Sequence, residues 1–177
     1  MRFKKAIWTI LVCFSLSSMA WIFLFDYHPK SDEEVARLLG ISKAEIESFD
    51  YSDSWGLQDY DIVGKYQLSD ATIRRFLTSS TSILFDKEYE ADSSAWEKAN
   101  WHKAPLDATT HVDIYKEVFD VGRGNLQRDK WISEAGQCLR STNGYYSFYY
   151  HKKRENAFAC YVLEIREKTL YIVYLKV

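Results

Sequence analysis

YYSFYYHKKRENAFACYVLEIREKTLYIVYLKV, residues 145–177, is the stretch that decides the fold. Three runs, at 145–150, 157–165 and 170–177, are dominated by Tyr, Phe, Val, Ile and Leu, with polar turns at 151–156 and 166–169 between them. Aromatic and β-branched side chains suit a pleated surface. Connections this short join only antiparallel neighbours. The pattern predicts a three-stranded meander. Each run is apolar on both faces over much of its length, so both faces of the sheet need cover.

Working outward, YDIVGKYQL at 60–68 predicts a fourth strand. Ser69 and Asp70 then cap a helix with Ile73, Phe76 and Leu77 on one face and Arg74 and Arg75 on the other. Trp131, Ile132, Ala135, Cys138 and Leu139 share one helical face behind a capping Asn125, although Gly136 interrupts it. A competing reading ends that helix at Gly136 and makes 137–142 a strand turned by Asn143 and Gly144; the helix is favoured. HVDIYKEVF at 111–119 carries both periodicities and is read as helix. Ser-x-x-Glu capping boxes at Ser31, Ser42 and Ser94 predict short helices over 32–39, 43–49 and 95–100. Residues 50–59 and 79–82 read as loops, 83–85 as a short edge strand, and 101–106 as extended ahead of Pro105. The fold class is α+β: an antiparallel sheet of about four strands packed with short helices.

Residues 6–25, AIWTILVCFSLSSMAWIFLF, carry no charge. At ~1.5 Å per residue they span ~30 Å, the hydrocarbon thickness of a bilayer. Arg2, Lys4 and Lys5 precede the run, and Asp26, Asp32, Glu33 and Glu34 follow it. Positive charge stays on the cytoplasmic side, so the N-terminus is expected inside and the remainder outside. Ser18-Met19-Ala20 would suit signal cleavage after Ala20. Cleavage there, however, leaves Trp21, Ile22, Phe23, Leu24 and Phe25 on a frayed end, and the run exceeds the ~7–15 residues of a signal core. A retained transmembrane helix is favoured. Val12 before Cys13 fits a lipoprotein signal poorly, leaving Cys13 as a buried apolar side chain of that helix. The organisation follows: a membrane anchor or signal segment at 1–25, short juxtamembrane helices and a loop at 26–56, and an α+β extracytoplasmic domain at 57–177. The location is the cytoplasmic membrane, single-pass, or the periplasm if the segment is cut.

Beyond the run, 20 basic residues face 25 acidic ones, a net charge of about −5. This offers no footprint for nucleic acid. Cys138 and Cys160 are two cysteines in a compartment that permits oxidation, and the expectation is a disulfide closing a loop of about twenty residues.

No metal or cofactor is expected. His28, His102, His111 and His151 are scattered, and no Cys pair or His-Glu-x-x-His has ligand spacing. The acidic run 86–92 lacks the glycine and terminal Glu of a calcium loop and reads as a solvated loop. There is no Gly-x-Ser-x-Gly elbow, and Gly122-x-Gly124 lacks the rest of a phosphate cradle. No catalytic residues are assigned. Trp55, Trp96 and Trp101 lie outside the expected strands. They either close the core or, if exposed, form a binding surface for a protein or a sugar ring. The function expected is a non-enzymatic, membrane-tethered module that binds an envelope protein. The alternatives are an immunity or inhibitor protein, a cell-wall glycan binder or hydrolase using Trp96 and Trp101, and a structural subunit of a membrane complex.

Overall fold

The computed structural model describes residues 28–55, 60–79, 84–90, 94–106, 126–153 and 157–176. The N-terminal anchor or signal segment, the helix expected over 111–119 and the turn after it lie outside these residues. Among the described residues no helix is long and apolar enough to cross a membrane.

The chain runs through α1 (Asp32–Leu39), β1 (Ile46–Trp55), β2 (Tyr60–Leu68), α2 (Asp70–Thr78), α3 (Lys87–Glu90), β3 (Trp96–Lys103), α4 (Leu126–Arg140), β4 (Gly144–His151), β5 (Phe158–Glu164) and β6 (Thr169–Lys176). The architecture is α+β. Six strands form one antiparallel sheet in the order β1-β2-β6-β5-β4-β3. The C-terminal meander is present: Tyr146 faces Val162, and Tyr161 faces Ile172. β2 pairs with β6 rather than with a sequence neighbour in the meander, Val63 opposite Val173.

The period of two along β5 sorts the core. Phe158, Cys160 and Val162 point to one face, where Trp131, Ile132, Ala135 and Leu139 of α4 cover them. Ala159, Tyr161 and Leu163 point to the other, beneath Val35, Leu38 and Leu39 of α1 and Ile73 and Phe76 of α2. The doubly apolar strands thus have the two covers their composition demands.

α1 and α2 form as their caps predict. Ser31 accepts from the Glu34 N–H while Glu34 accepts from the Ser31 N–H, and Gly40 ends the helix at φ 65°. Ser69 accepts from the Thr72 N–H. α4 continues through Gly136 to Arg140, so the strand alternative over 137–142 is not adopted.

Several local expectations fail, among them the solvated loop over 86–92, where Asp86 is 3% exposed. The helix expected over 43–49 is instead the start of β1, and 50–55 is its continuation rather than loop. Glu45, needed to close a box on Ser42, is drawn to α2, where Arg75 and the Ser69 hydroxyl donate to its carboxylate. The helix expected over 95–100 is β3; the Ala95 carbonyl accepts from the Lys152 N–H, which lays the chain along β4. Leu84 and Phe85 form no strand, and the acidic stretch after them opens with the single turn α3.

The disulfide expected between Cys138 and Cys160 is absent: both are free, buried thiols. The Cys138 thiol donates to the Leu163 carbonyl at 3.8 Å, three residues along β5 from Cys160. Three residues of strand is about 10 Å, so the Cys138 sulfur lies at the far end of β5 from Cys160, whereas a bridge needs Cα atoms within about 7 Å of each other. Cys138 Sγ also fills the space a side chain on Gly144 would need, so that only glycine fits where β4 begins. Burial pushes both thiols up to about 12, for Cys138 with help from the Glu164 charge. Thiol reagents at neutral pH should therefore spare both in the native protein and modify both once it is unfolded without reductant. Recovery of only Cys13 after unfolding would demand a bridge.

Candidate functional site

The chemistry-bearing side chains collect in two places, one on each face of the sheet. The first is buried. The Asp86 carboxylate, three residues into the described segment after β2 and α2, sits 2.9 Å from Lys30 Nζ, with the two side chains only 3% and 10% exposed. The Tyr161 hydroxyl donates to the same carboxylate at 2.7 Å, and Tyr174 approaches it at 3.5 Å. The Asp86 N–H donates to the Tyr149 hydroxyl, which in turn donates to Glu90 at 2.8 Å. Lys98 pairs with Glu90 and also donates to the Leu84 carbonyl. Lys30 Nζ lies 5.8 Å from the centre of the Tyr174 ring, and its own N–H donates to the Tyr66 hydroxyl at 2.9 Å.

The electrostatics follow from that arrangement. Burial raises the Tyr161 hydroxyl well above the ordinary phenol value, and the neighbouring Asp86 charge adds to it. Tyr149 is also raised, by burial first and then by its hydrogen bond to Glu90 and that carboxylate's charge, against a lowering from the Asp86 N–H. Both are therefore fixed as neutral donors. At Glu90 burial acts upward, but the Lys98 and Tyr149 hydrogen bonds outweigh it and hold the carboxyl below its ordinary value. Each charge here has a protein partner; Lys30 and Asp86 have little solvent access, whereas Lys98 and Glu90 are partly exposed. The geometry is that of a structural network, which joins the segment before α1 to the α2–β3 connection and the sheet.

The second place is a groove of about 630 Å³ on the opposite face, between the second half of α4 and the β5–β6 turn. Lys65, Glu134 and Tyr171 form its inner wall. Lys65 Nζ lies 2.8 Å from Glu134 Oε2, and the Tyr171 hydroxyl donates to the same oxygen at 2.9 Å. Its outer edge is carried by Gln137, Arg166 and Lys168. Burial works to raise Glu134, yet the Lys65 and Tyr171 hydrogen bonds bring it net below its ordinary 4.5. A carboxyl depressed on folding stabilises the fold fully above the unfolded value and loses that contribution as pH falls through the folded one. Acid unfolding followed from pH 6 to pH 3 should thus show stability falling below about pH 4.5. The slope should be shallower in Glu134→Gln; an unchanged slope would mean that the Lys65 contact is not maintained in solution.

The three tryptophans are not brought together as a surface. Trp101, 5% exposed, packs edge-on to Phe76 in the core, and its Nε1–H donates to the Leu38 carbonyl at 2.8 Å. Trp96 is half-buried, its ring edge-on to Tyr89 and His151. Trp55 ends β1 opposite Tyr60, and its side chain lies outside what is described. Of the expected binding surface, Trp101 is therefore core. Sequence reasoning missed Lys30, Asp86, Lys65 and Glu134. Its only handle on the first pair was the acidic run 86–92, which reads as solvent-facing. Among the described residues no cluster of His, Cys, Asp or Glu could hold a metal ion.

Fold and sites define an α+β protein with a six-stranded antiparallel sheet, a buried ion-pair network on one face and a polar groove on the other. No family model, no curated protein and no solved structure matches the chain.

Proposed function

We propose that the protein is a single-pass, membrane-tethered module whose domain stands outside the cytoplasmic membrane and binds another envelope protein without catalysing a reaction. Residues 6–25, with basic residues before and acidic residues after, are its tether. The observation that carries the reading is the groove. It is open, mixed in charge and built on a helix packed against two paired strands, and it lies on the face away from Lys30, where the chain enters the domain. Mixed, partly solvated charge is the chemistry of a polar protein interface, and gives specificity and orientation. An immunity or inhibitor protein is one form of the same reading. The glycan reading loses one of its two stacking platforms with the burial of Trp101.

The test is in-cell photocrosslinking of the full-length protein, with the reactive residue placed at Gln137 or Arg166 in the groove, or at Arg74 on α2 as a control. The expected result is one envelope protein joined from both groove positions and not from Arg74. Equal capture from all three, or none from the groove with the bait abundant, would overturn the proposal.

A further inference from the structure

The tether and the domain are joined by very little chain. The apolar run ends at Phe25, and Lys30 is already fixed in the core: its N–H on the Tyr66 hydroxyl at 2.9 Å and its Nζ on Asp86 at 2.9 Å. Only residues 26–29 lie between, and they include Pro29, whose ring restricts the backbone. Five residue steps reach at most about 17 Å. A domain of this size has a radius of gyration of about 15 Å. For a sphere that corresponds to an outer radius of about 19 Å, so the fully stretched link is shorter than the domain's radius and too short to let the domain turn its far side to the bilayer.

Phe85, the residue before Asp86, has a distinct character. Asp86 is 3% exposed and paired with Lys30, while Phe85, between it and the fully buried Leu84, is 39% exposed. A phenyl ring held at a lipid surface can bury its apolar area at the boundary between headgroups and acyl chains. Leu126, 89% exposed at the start of α4, belongs to the layer on the other face of the sheet.

We infer that the domain sits flush on the lipid surface, with Phe85 and the start of α1 against the headgroups and the α4 groove facing away. The Lys30–Asp86 pair is the bolt that fixes this orientation. The inference rests on the retained anchor proposed above and adds to it a surface and its partner, the phospholipid headgroup layer.

The experiment uses full-length protein in phosphatidylcholine vesicles, whose zwitterionic surface does not repel the acidic first turn of α1. In a Cys13→Ala background, spin labels are attached at Phe85→Cys or Leu126→Cys, and their depth is read by power saturation with oxygen and a water-soluble nickel chelate. The label at 85 should lie in the headgroup zone, and the label at 126 in water. A twenty-residue Gly/Ser insertion between Phe25 and Asp26 should move the label at 85 into water while the protein stays in the vesicles. Water-like saturation at 85 without the insertion, or unchanged depth with it, overturns the inference. Flotation of the same samples separates the two levels. Protein that leaves the vesicles refutes the retained anchor; protein that floats with a wet label at 85 refutes only the flush orientation.

Discussion

Asp86→Ala should destabilise the fold by about 3–5 kcal/mol, the effect of leaving one partner of a buried ion pair uncompensated. Lys30 Nζ would be left in a position only 10% exposed, 5.8 Å from the centre of the Tyr174 ring and without the Asp86 carboxylate. The Tyr161 hydroxyl would lose its acceptor in the same step. An orphaned buried hydroxyl alone costs about 1–3 kcal/mol, though this overlaps with the ion-pair loss and does not add to it in full. Urea unfolding of the full-length protein in detergent, followed by Tyr and Trp fluorescence, reads the change directly. The decisive comparison is the cycle with Lys30→Met. If the pair is a unit, the double variant should be clearly more stable than the sum of the single losses implies, because methionine can occupy the slot without a charge. A loss below about 1 kcal/mol for Asp86→Ala would mean that Lys30 swings out to water at little cost. The bolt between tether and domain would then be illusory.

Lys30 and Asp86 are separated by 56 residues, and each sits in a polar stretch with several other charges. Nothing in a linear pattern marks a carboxylate of such a stretch as one that will be buried. The aromatic strands were different. Tyr149, Tyr161 and Tyr174 were visible as strand residues because their runs satisfy β geometry locally. Which of their hydroxyls would meet a carboxylate depends on the pairing of three strands and on where the 84–90 segment crosses them.

The strands themselves divide along a physical line. β2, β4, β5 and β6 are the inner four, flanked on both sides by other strands and covered on both faces, and their sequences are correspondingly rich in Val, Ile, Leu and Tyr. All four were legible. β1, IESFDYSDSW, and β3, WEKANWHK, are the two edges. An edge strand is half-solvated, and charges along it discourage pairing with other chains. The same charges erase the apolar signature by which a strand is recognised. In both places a Ser-x-x-Glu motif offered a helix start instead. Such a box satisfies two backbone donors at most, whereas pairing with β2 or β4 satisfies a whole ladder. The local signal was valid at Ser31, where nothing competed, and was overridden at Ser42 and Ser94, where a neighbouring strand did. The groove is legible only after the fold, since Lys65, Glu134 and Tyr171 come from three separate elements.

Trp101→Ala should likewise cost about 3–5 kcal/mol, the range for removing a large aromatic from a packed core. The reason is more than volume. The last four carbonyls of a helix have no partner within it. At the end of α1, Gly40 and Ile41 N–H groups reach the Ala36 and Arg37 carbonyls, and the Trp101 indole takes Leu38 at 2.8 Å. The ring meanwhile packs edge-on against Phe76, 5.5 Å between centres, so one side chain ties β3 to both helices over that face. Trp101→Phe separates the two contributions. It keeps an aromatic in the slot and loses the donor, and should cost about 1–2 kcal/mol through the Leu38 carbonyl alone. Trp96→Ala, at a half-buried site, should cost less than Trp101→Ala. The ordering bears on function as well as stability. Were Trp101 a stacking platform for sugar, alanine there would leave the unfolding midpoint nearly unchanged and abolish fluorescence quenching by glycan fragments. The core role requires the reverse: a large fall in midpoint for Trp101→Ala, a small one for Trp101→Phe, and no glycan-dependent quenching from Trp101 in the native protein.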